Sequence, residues 1–278
     1  MRKNITTSFF TALAMTSMLV QVHANEELGA KLANPVSSMT SVPIQYNYDQ
    51  GYDPYGGERH YINVQPVVPF DLGNGDSLVV RTILPIVADQ ANIGEPPLGG
   101  PGSSLGGLGD TLQSFFYVPP AIDTDLGALT IGVGPALTWP SSTDARLGLG
   151  AWGLGPTGVV LIQTKVSAGT LTAGALAGHQ WGVDNTRDKV PDLDQTFFQP
   201  FVALSTAEGW TFSANIEGGY NWTADQASLP LIIAAAKLVD IGGQKVSLQL
   251  GGRYWLDSPD NGPEGWGLRF TATFLFPK

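Results

Sequence analysis

The chain has 278 residues, enough for one large β domain or two small ones. Only 14% of them are charged, well under the usual quarter, while glycine (35 residues) and aromatics (10%) are plentiful. A formal net charge of -10 argues against a nucleic-acid partner, and the absence of cysteine excludes disulfides and thiolate metal sites.

The first element is a targeting segment. Arg2 and Lys3 precede "FFTALAMTSMLV" (9–20), an apolar stretch too short to span a bilayer, and Val22 and Ala24 place small residues at -3 and -1 of a cleavage site. Residues 1–24 therefore read as a signal peptide removed on export. Its loss takes two of the 14 basic residues and none of the 24 acidic ones, so the mature chain is more acidic still. Residues 25–42 form a periplasmic N-terminal segment. Within it "NEELGAKLANP" (25–35) can make a short helix stopped by Pro35, expected to trail at the periplasmic mouth rather than plug it.

No later apolar run approaches 18 residues; the longest candidate, 229–243, is broken by Lys237 and Asp240. What recurs is a period of 2. In "SLVVRTILPIV" (77–87), Leu78, Val80, Thr82, Leu84 and Ile86 share a face opposite Arg81. In "WTFSANIEGGYNW" (210–222) and "VSLQLGGRYWL" (246–256) the same alternation holds, and it closes the chain in "WGLRFTATFLFPK" (266–278). The pattern predicts twelve strands near 43–49, 58–70, 77–88, 108–118, 127–139, 149–164, 169–182, 195–206, 210–222, 229–240, 244–256 and 265–276. Their connections sort by parity. Those at 50–57, 89–107, 140–148, 183–194, 223–228 and 257–264 are mostly long and rich in Asp, Pro and Gly; those between are mostly tight, with 119–126 a longer exception. Long loops at one end and short turns at the other, with an even strand number, predict an all-β fold: a transmembrane antiparallel β-barrel over 43–278. Lipid is the solvent that lets so many strands turn an apolar face outward without a second layer.

Tryptophans at strand ends fit interfacial girdles: Trp139, Trp181, Trp222, Trp255 and Trp266 on the loop side and Trp210 on the turn side. Prolines oppose the assignment, because Pro66, Pro85, Pro135, Pro156, Pro200 and Pro230 fall inside strands and a closed barrel has no edge. Bulges at several of them, or a strand assignment that is wrong locally, are expected.

The segments "NPVSSMTSVPIQ" (34–45), "INVQPVVPFDL" (62–72), "RTILPIV" (81–87), "GLGDTLQSFF" (107–116), "GVGPALTWPSSTDARLGLGAWGLGPTGVVL" (132–161), "QPFVAL" (199–204) and "LFPK" (275–278) together resemble a family of Gram-negative outer-membrane β-barrel proteins. Its members are labelled transporters and are related to those named after the meta-pathway of phenol degradation. The resemblance spans nearly the whole mature chain. It implies a barrel in the outer membrane, in contact with lipid and lipopolysaccharide, inserted by the barrel-assembly machinery, and passing a small-molecule solute. An aromatic solute is implied by the family's name alone. The chain ends in Pro277-Lys278, not in the terminal aromatic of many outer-membrane proteins.

If apolar faces meet lipid, the opposite faces line a lumen. Of the six mature arginines, Arg59, Arg81, Arg253 and Arg269 point inward, with Asn63, Gln65, Glu217, Asn221 and Gln249. One reading is a constriction favouring anionic or carboxylate-bearing solutes. The other is a plugged lumen in which these arginines neutralise Glu58, Glu217 and their neighbours. The loop acids (Asp53, Asp89, Glu95, Asp144, Asp184, Asp188, Asp192, Asp257, Asp260, Glu264) read as a solvated face, with divalent-cation binding near lipopolysaccharide as the alternative.

No cofactor or metal is expected, since no Cys/His set fits zinc and the glycine-rich 146–155 is followed by no helix that would make a phosphate loop. A barrel lipid hydrolase would need a His–Ser pair on one strand face. His60 is followed by Tyr61-Ile62 and His179 by Gln180-Trp181, so neither has one, and Ser167 and Ser205 belong near the opposite membrane face from His179. The expected function is a non-enzymatic channel or transporter for small, anionic or aromatic solutes; the alternatives are a structural barrel with a plugged lumen and a lipid hydrolase.

Overall fold

The computed structural model describes residues 24–93, 100–185 and 192–277. The signal peptide, apart from Ala24, and the loop acids Glu95 and Asp188 lie outside the described residues. Twelve antiparallel strands, several interrupted, make one sheet. β1 is Thr40–Tyr52; β2 is Gly57–Val64 continued by Val67–Gly73; β3 is Asp76–Ala91; β4 is Ser104–Leu108, Thr111–Val118 and Ile122–Thr124. β5 is Gly127–Trp139; β6 is Ala151–Val166; β7 is Gly169–Asn185; β8 is Asp194–Ser205. β9 is Trp210–Ile216 and Gly218–Asn221; β10 is Gln226–Ser228 and Pro230–Ile241; β11 is Gln244–Trp255; β12 is Trp266–Phe276. Each strand pairs with the next in sequence, and β1 also pairs with β12, Thr40 opposite Phe276, so the sheet closes without an edge. The stretch 119–126 is not a long turn. After Pro119-Pro120 the chain rejoins the sheet at Ile122–Thr124, leaving a tight turn at Asp125-Leu126.

The alternation sorts the barrel inside out relative to a water-soluble protein. On β12, Gly267, Arg269, Thr271, Thr273 and Leu275 are buried, whereas Trp266, Leu268, Phe270 and Phe276 are exposed, Trp266 to 60%. On β1, Gln45, Asn47 and Asp49 are buried while Ile44 is exposed. On β7, Thr170, Thr172 and Gln180 are buried and Trp181 is exposed. An apolar outside around a polar inside, in a closed cylinder with its backbone bonds made internally, is the arrangement hydrocarbon requires.

The prolines do not produce bulges. Register shifts fall near strand ends, at Gln50/Tyr52, His60/Tyr61, Asp71/Gly73, Val87/Gln90 and Gly182/Asp184. The prolines instead leave gaps or continue the pairing without a slip. Pro200 stays opposite Ala175, and the Pro66 and Pro230 carbonyls still accept from Thr82 and Glu217 at 3.0 and 3.1 Å. A missing N–H removes one bond; it does not require an extra residue. Pro135 and Pro156 stand directly opposite each other on β5 and β6, both exposed to lipid. On their far sides the β4–β5 pairing skips from Ser114↔Ala136 to Tyr117↔Val133, and the β6–β7 pairing from Gly178↔Thr157 to Trp181↔Leu154. The residue before each is a glycine for a steric reason: a Cβ on Gly134 would strike the Phe115 carbonyl, and one on Gly155 the His179 carbonyl.

The N-terminal segment does not trail. Residues 24–33 form a helix seated in the turn-side mouth. Glu26 lies 2.6 Å from Lys165 Nζ and accepts from Thr170 Oγ1 at 2.7 Å, and the Ala30 carbonyl accepts from Gln163 Nε2 at 2.9 Å. Leu28 and Leu32 pack on Met39, Leu238 and Leu275, and Val36 joins an inner apolar cluster with Val79, Phe116, Val118, Val159, Leu161 and Leu176. These apolar residues, on inward positions that a wholly polar lumen would leave wet, give the helix something to bury against.

Candidate solute pathway through the barrel

Two layers occupy the lumen above the helix. The upper one, towards the long loops, is charged. Arg253 on β11 donates to Asp49 Oδ2 on β1 and to Tyr61 Oη on β2, both at 2.7 Å, with side-chain exposures of 3% for Arg253 and 2% for Asp49. Trp255 Nε1 donates to the other oxygen of Asp49 at 3.2 Å. Arg269 on β12 reaches Glu217 on β9 through two parallel bonds of 2.6 and 2.7 Å and Asn47 through Nε at 2.8 Å. Arg59 and Arg253 both lie over the Tyr61 ring, 5.2 and 5.7 Å from its centre. Each of the two carboxylates is thus held by an arginine, Asp49 fully buried and Glu217 partly open to the lumen.

Charge is left over. Among the described residues neither Arg59 nor Arg81 makes an ion pair, and Arg59 Nε is buried without a hydrogen-bond partner. Arg81 on β3 has one weak contact, to Gln65 Oε1 at 3.3 Å. It faces the lower layer, a cavity of about 260 Å³ between the charged tier and the helix, whose walls include Gln65, Gln249 and Asn215.

By register Arg59, Asn63, Gln65, Arg81, Glu217, Asn221, Gln249, Arg253 and Arg269 share the inward parity of their strands, and Gln65, Arg253 and Arg269 are buried. The structure gathers Arg59, Arg253, Arg269 and Glu217 in the upper layer and Gln65, Arg81 and Gln249 at the cavity. Asn221 is engaged at the loop rim, accepting from Ala224 N at 3.0 Å. Glu58 is not an inner counter-charge: it shares the outer face with Tyr48, whose hydroxyl it accepts at 3.2 Å, because it stands one residue out of phase with Arg59. Asp49 takes that role, with Asn47 and Tyr61. The signal for Asn47 and Asp49 is the alternation in "QYNYDQ" (45–50), where tyrosines and polar residues take opposite faces.

The outer face carries the aromatic girdle, with one exchange. Trp139, Trp181, Trp222 and Trp266 are exposed at the loop side and Trp210 at the turn side. Trp255 turns inward, since it shares the parity of Arg253, and Trp152 takes an outward place beside Trp139, ring centres 4.9 Å apart. Further outward pairs stand at the same rim: Trp266 with Tyr254 at 5.0 Å, Trp222 with Tyr220 at 4.8 Å, and Trp181 with His179 at 4.3 Å. His179 meets Thr196 Oγ1 at 2.8 Å and Asp194 at 3.0 Å on this outer face, and His60 meets the Tyr46 hydroxyl at 2.7 Å. Ser205 lies on the inner face near the turns, so it does not reach His179.

These features define the class: a closed transmembrane β-barrel with an apolar, girdled exterior and a polar lumen. The fold matches that of an outer membrane channel from Pseudomonas putida F1, with a TM-score of 0.63 and 13% identity over 86% of this chain and 96% of that one. A variant of the Rh. blastica porin and OccAB2 of Acinetobacter baumannii align over the same 86% of this chain at 11% and 9% identity, with TM-scores of only 0.27 and 0.23. No protein-family model and no curated protein matches the chain.

Proposed function

We propose that the protein is a non-enzymatic outer-membrane channel for small solutes, with a preference for anions. The observation that carries this reading is the unbalanced lumen, where Arg59, Arg81, Arg253 and Arg269 face the two carboxylates Asp49 and Glu217. Fixed guanidinium groups inside a narrow, low-dielectric cylinder attract anions and repel cations. The partners on this reading are membrane lipid and lipopolysaccharide at the girdles and the barrel-assembly machinery during insertion.

Planar-bilayer recording tests it. The expected result is reproducible conductance steps whose reversal potential in a salt gradient favours the anion, moving towards zero in an Arg59→Gln, Arg81→Gln double variant. A second reading, a structural barrel with a closed lumen, is favoured by the helix 24–33 in the turn-side mouth and by the ion pairs that cross the interior. Recordings without steps under all voltages would select it.

A further inference from the structure

We propose that the cavity between the charged tier and the N-terminal helix is a binding site for a small amphipathic monocarboxylate. This assignment rests on the channel reading only for how the ligand arrives; the site itself stands on its lining.

The first argument is charge. No Asp or Glu lines the cavity, whereas Arg81 and Lys31 do. Lys31 is answered by Glu27 at 2.7 Å on its own helix, but Arg81 makes no ion pair among the described residues. A guanidinium with no carboxylate in contact is costly where protein surrounds it, and a carboxylate entering beside it would supply that contact through paired N–H···O bonds.

The second argument is hydrogen bonding. Asn215 lines the same cavity and its Nδ2 is buried with no partner among the described residues. An orphaned buried donor is the exception in folded proteins and points to an acceptor that the chain does not provide. Gln65 accepts one long bond from Arg81, which leaves the remaining N–H groups for a ligand.

The third argument is shape and polarity. Phe201, Val67 and Leu32 furnish apolar wall among these polar groups, Val67 standing beside Arg81 and Phe201 beside Asn215 in the sheet. Phe201 and Val67 continue into the inner apolar cluster around Phe116, so an apolar body lying beside the carboxylate would meet apolar side chains. At about 260 Å³ the space is below the usual range for drug-sized ligands and fits a single ring or a short chain. A bare inorganic anion would satisfy Arg81 and leave the apolar wall against water; a neutral hydrocarbon would do the reverse.

The test uses full-length mature protein in detergent micelles, with benzoate and hexanoate as probes, benzamide as the neutral counterpart, and chloride and inorganic phosphate as bare anions. Binding is read by isothermal titration and by carboxylate protection against thermal unfolding. The expected result is saturable binding of benzoate or hexanoate, at least tenfold weaker in Arg81→Gln, with benzamide silent and the inorganic anions weaker than the organic acids. Asn215→Leu, which occupies the cavity while leaving every arginine, should weaken carboxylate binding and not the anion preference of conductance. Heat-modifiable gel mobility confirms that each variant is a folded barrel. Unchanged benzoate binding in both variants, or chloride and phosphate binding as well as benzoate, overturns the proposal. Conductance without organic-acid binding removes the site and leaves the channel; organic-acid binding without conductance removes the channel and leaves the site.

Discussion

Arg253 and Asp49 belong to strands that do not touch: β12 runs between them, and their ion pair passes over it at Gly267. A Cβ at that position would collide with the Tyr48 carbonyl and come within 2.6 Å of Asp49 Oδ1. The glycine is therefore the opening through which the carboxylate reaches the guanidinium.

This geometry predicts a large asymmetry between single and double changes. Asp49→Asn leaves Arg253 buried and unanswered and is expected to lower barrel stability by about 3–5 kcal/mol, whereas Asp49→Leu with Arg253→Met should cost much less. Urea titration of vesicle-embedded protein measures both. Gly267→Ala, by overpacking the same crossing, should cost about 1–3 kcal/mol.

The two faces of β12 predict opposite outcomes for the same substitution. Phe270 is exposed to lipid at mid-strand, and Phe270→Arg should destabilise by about 2–4 kcal/mol. Gln249→Arg, on the lumen side of β11, should instead alter ion selectivity. Folding titrations and reversal potentials separate them.

The helix in the turn-side mouth predicts a removable obstruction. The Cβ of a residue at Gly29 would lie 3.1 Å from Ser205 Cβ, so Gly29→Cys with Ser205→Cys brings two thiols within bridging reach in a chain without other cysteines. Conductance is expected to fall on oxidation and to return with reductant. Equal conductance in both states would mean that ions pass the helix where it sits.

The same helix predicts where pH acts. A hydrogen bond from Lys31, then its charge, holds the Glu27 carboxyl below the usual carboxylate range. Its contribution to the helix is complete above that range and is lost only as pH falls through the lowered value. The Glu27–Lys31 pair should therefore persist from about pH 5 upwards and be lost only in acid, measured by NMR titration of the Glu27 carboxyl.

Strand number and in–out parity were legible in the sequence because alternation is a fixed property of an extended chain. Arg253, Arg269 and Arg81 could be aimed inward from their neighbours alone. Trp255 takes the inward face set by its parity with Arg253, not the interfacial place its residue type suggests. The partners were not legible: Asp49 and Arg253 are 204 positions apart, and which inward groups meet depends on closure and on the gap at Gly267. The seating of the helix was hidden too, since Leu28 and Leu32 make a weak apolar stripe that gains meaning only against Met39, Leu238 and Leu275. The proline bulges failed as an expectation because a ladder can drop a bond and keep its count.

The opposed prolines of β5 and β6 carry a mechanical consequence. Around the circumference at that height, the hairpin is laced to neither flanking strand, while the rungs above and below hold it at both ends. Proline has no donor to offer, so no relaxation of the backbone can restitch those rungs, and at this height the two seams are held by close backbone packing, Gly134 on the Phe115 carbonyl and Gly155 on the His179 carbonyl.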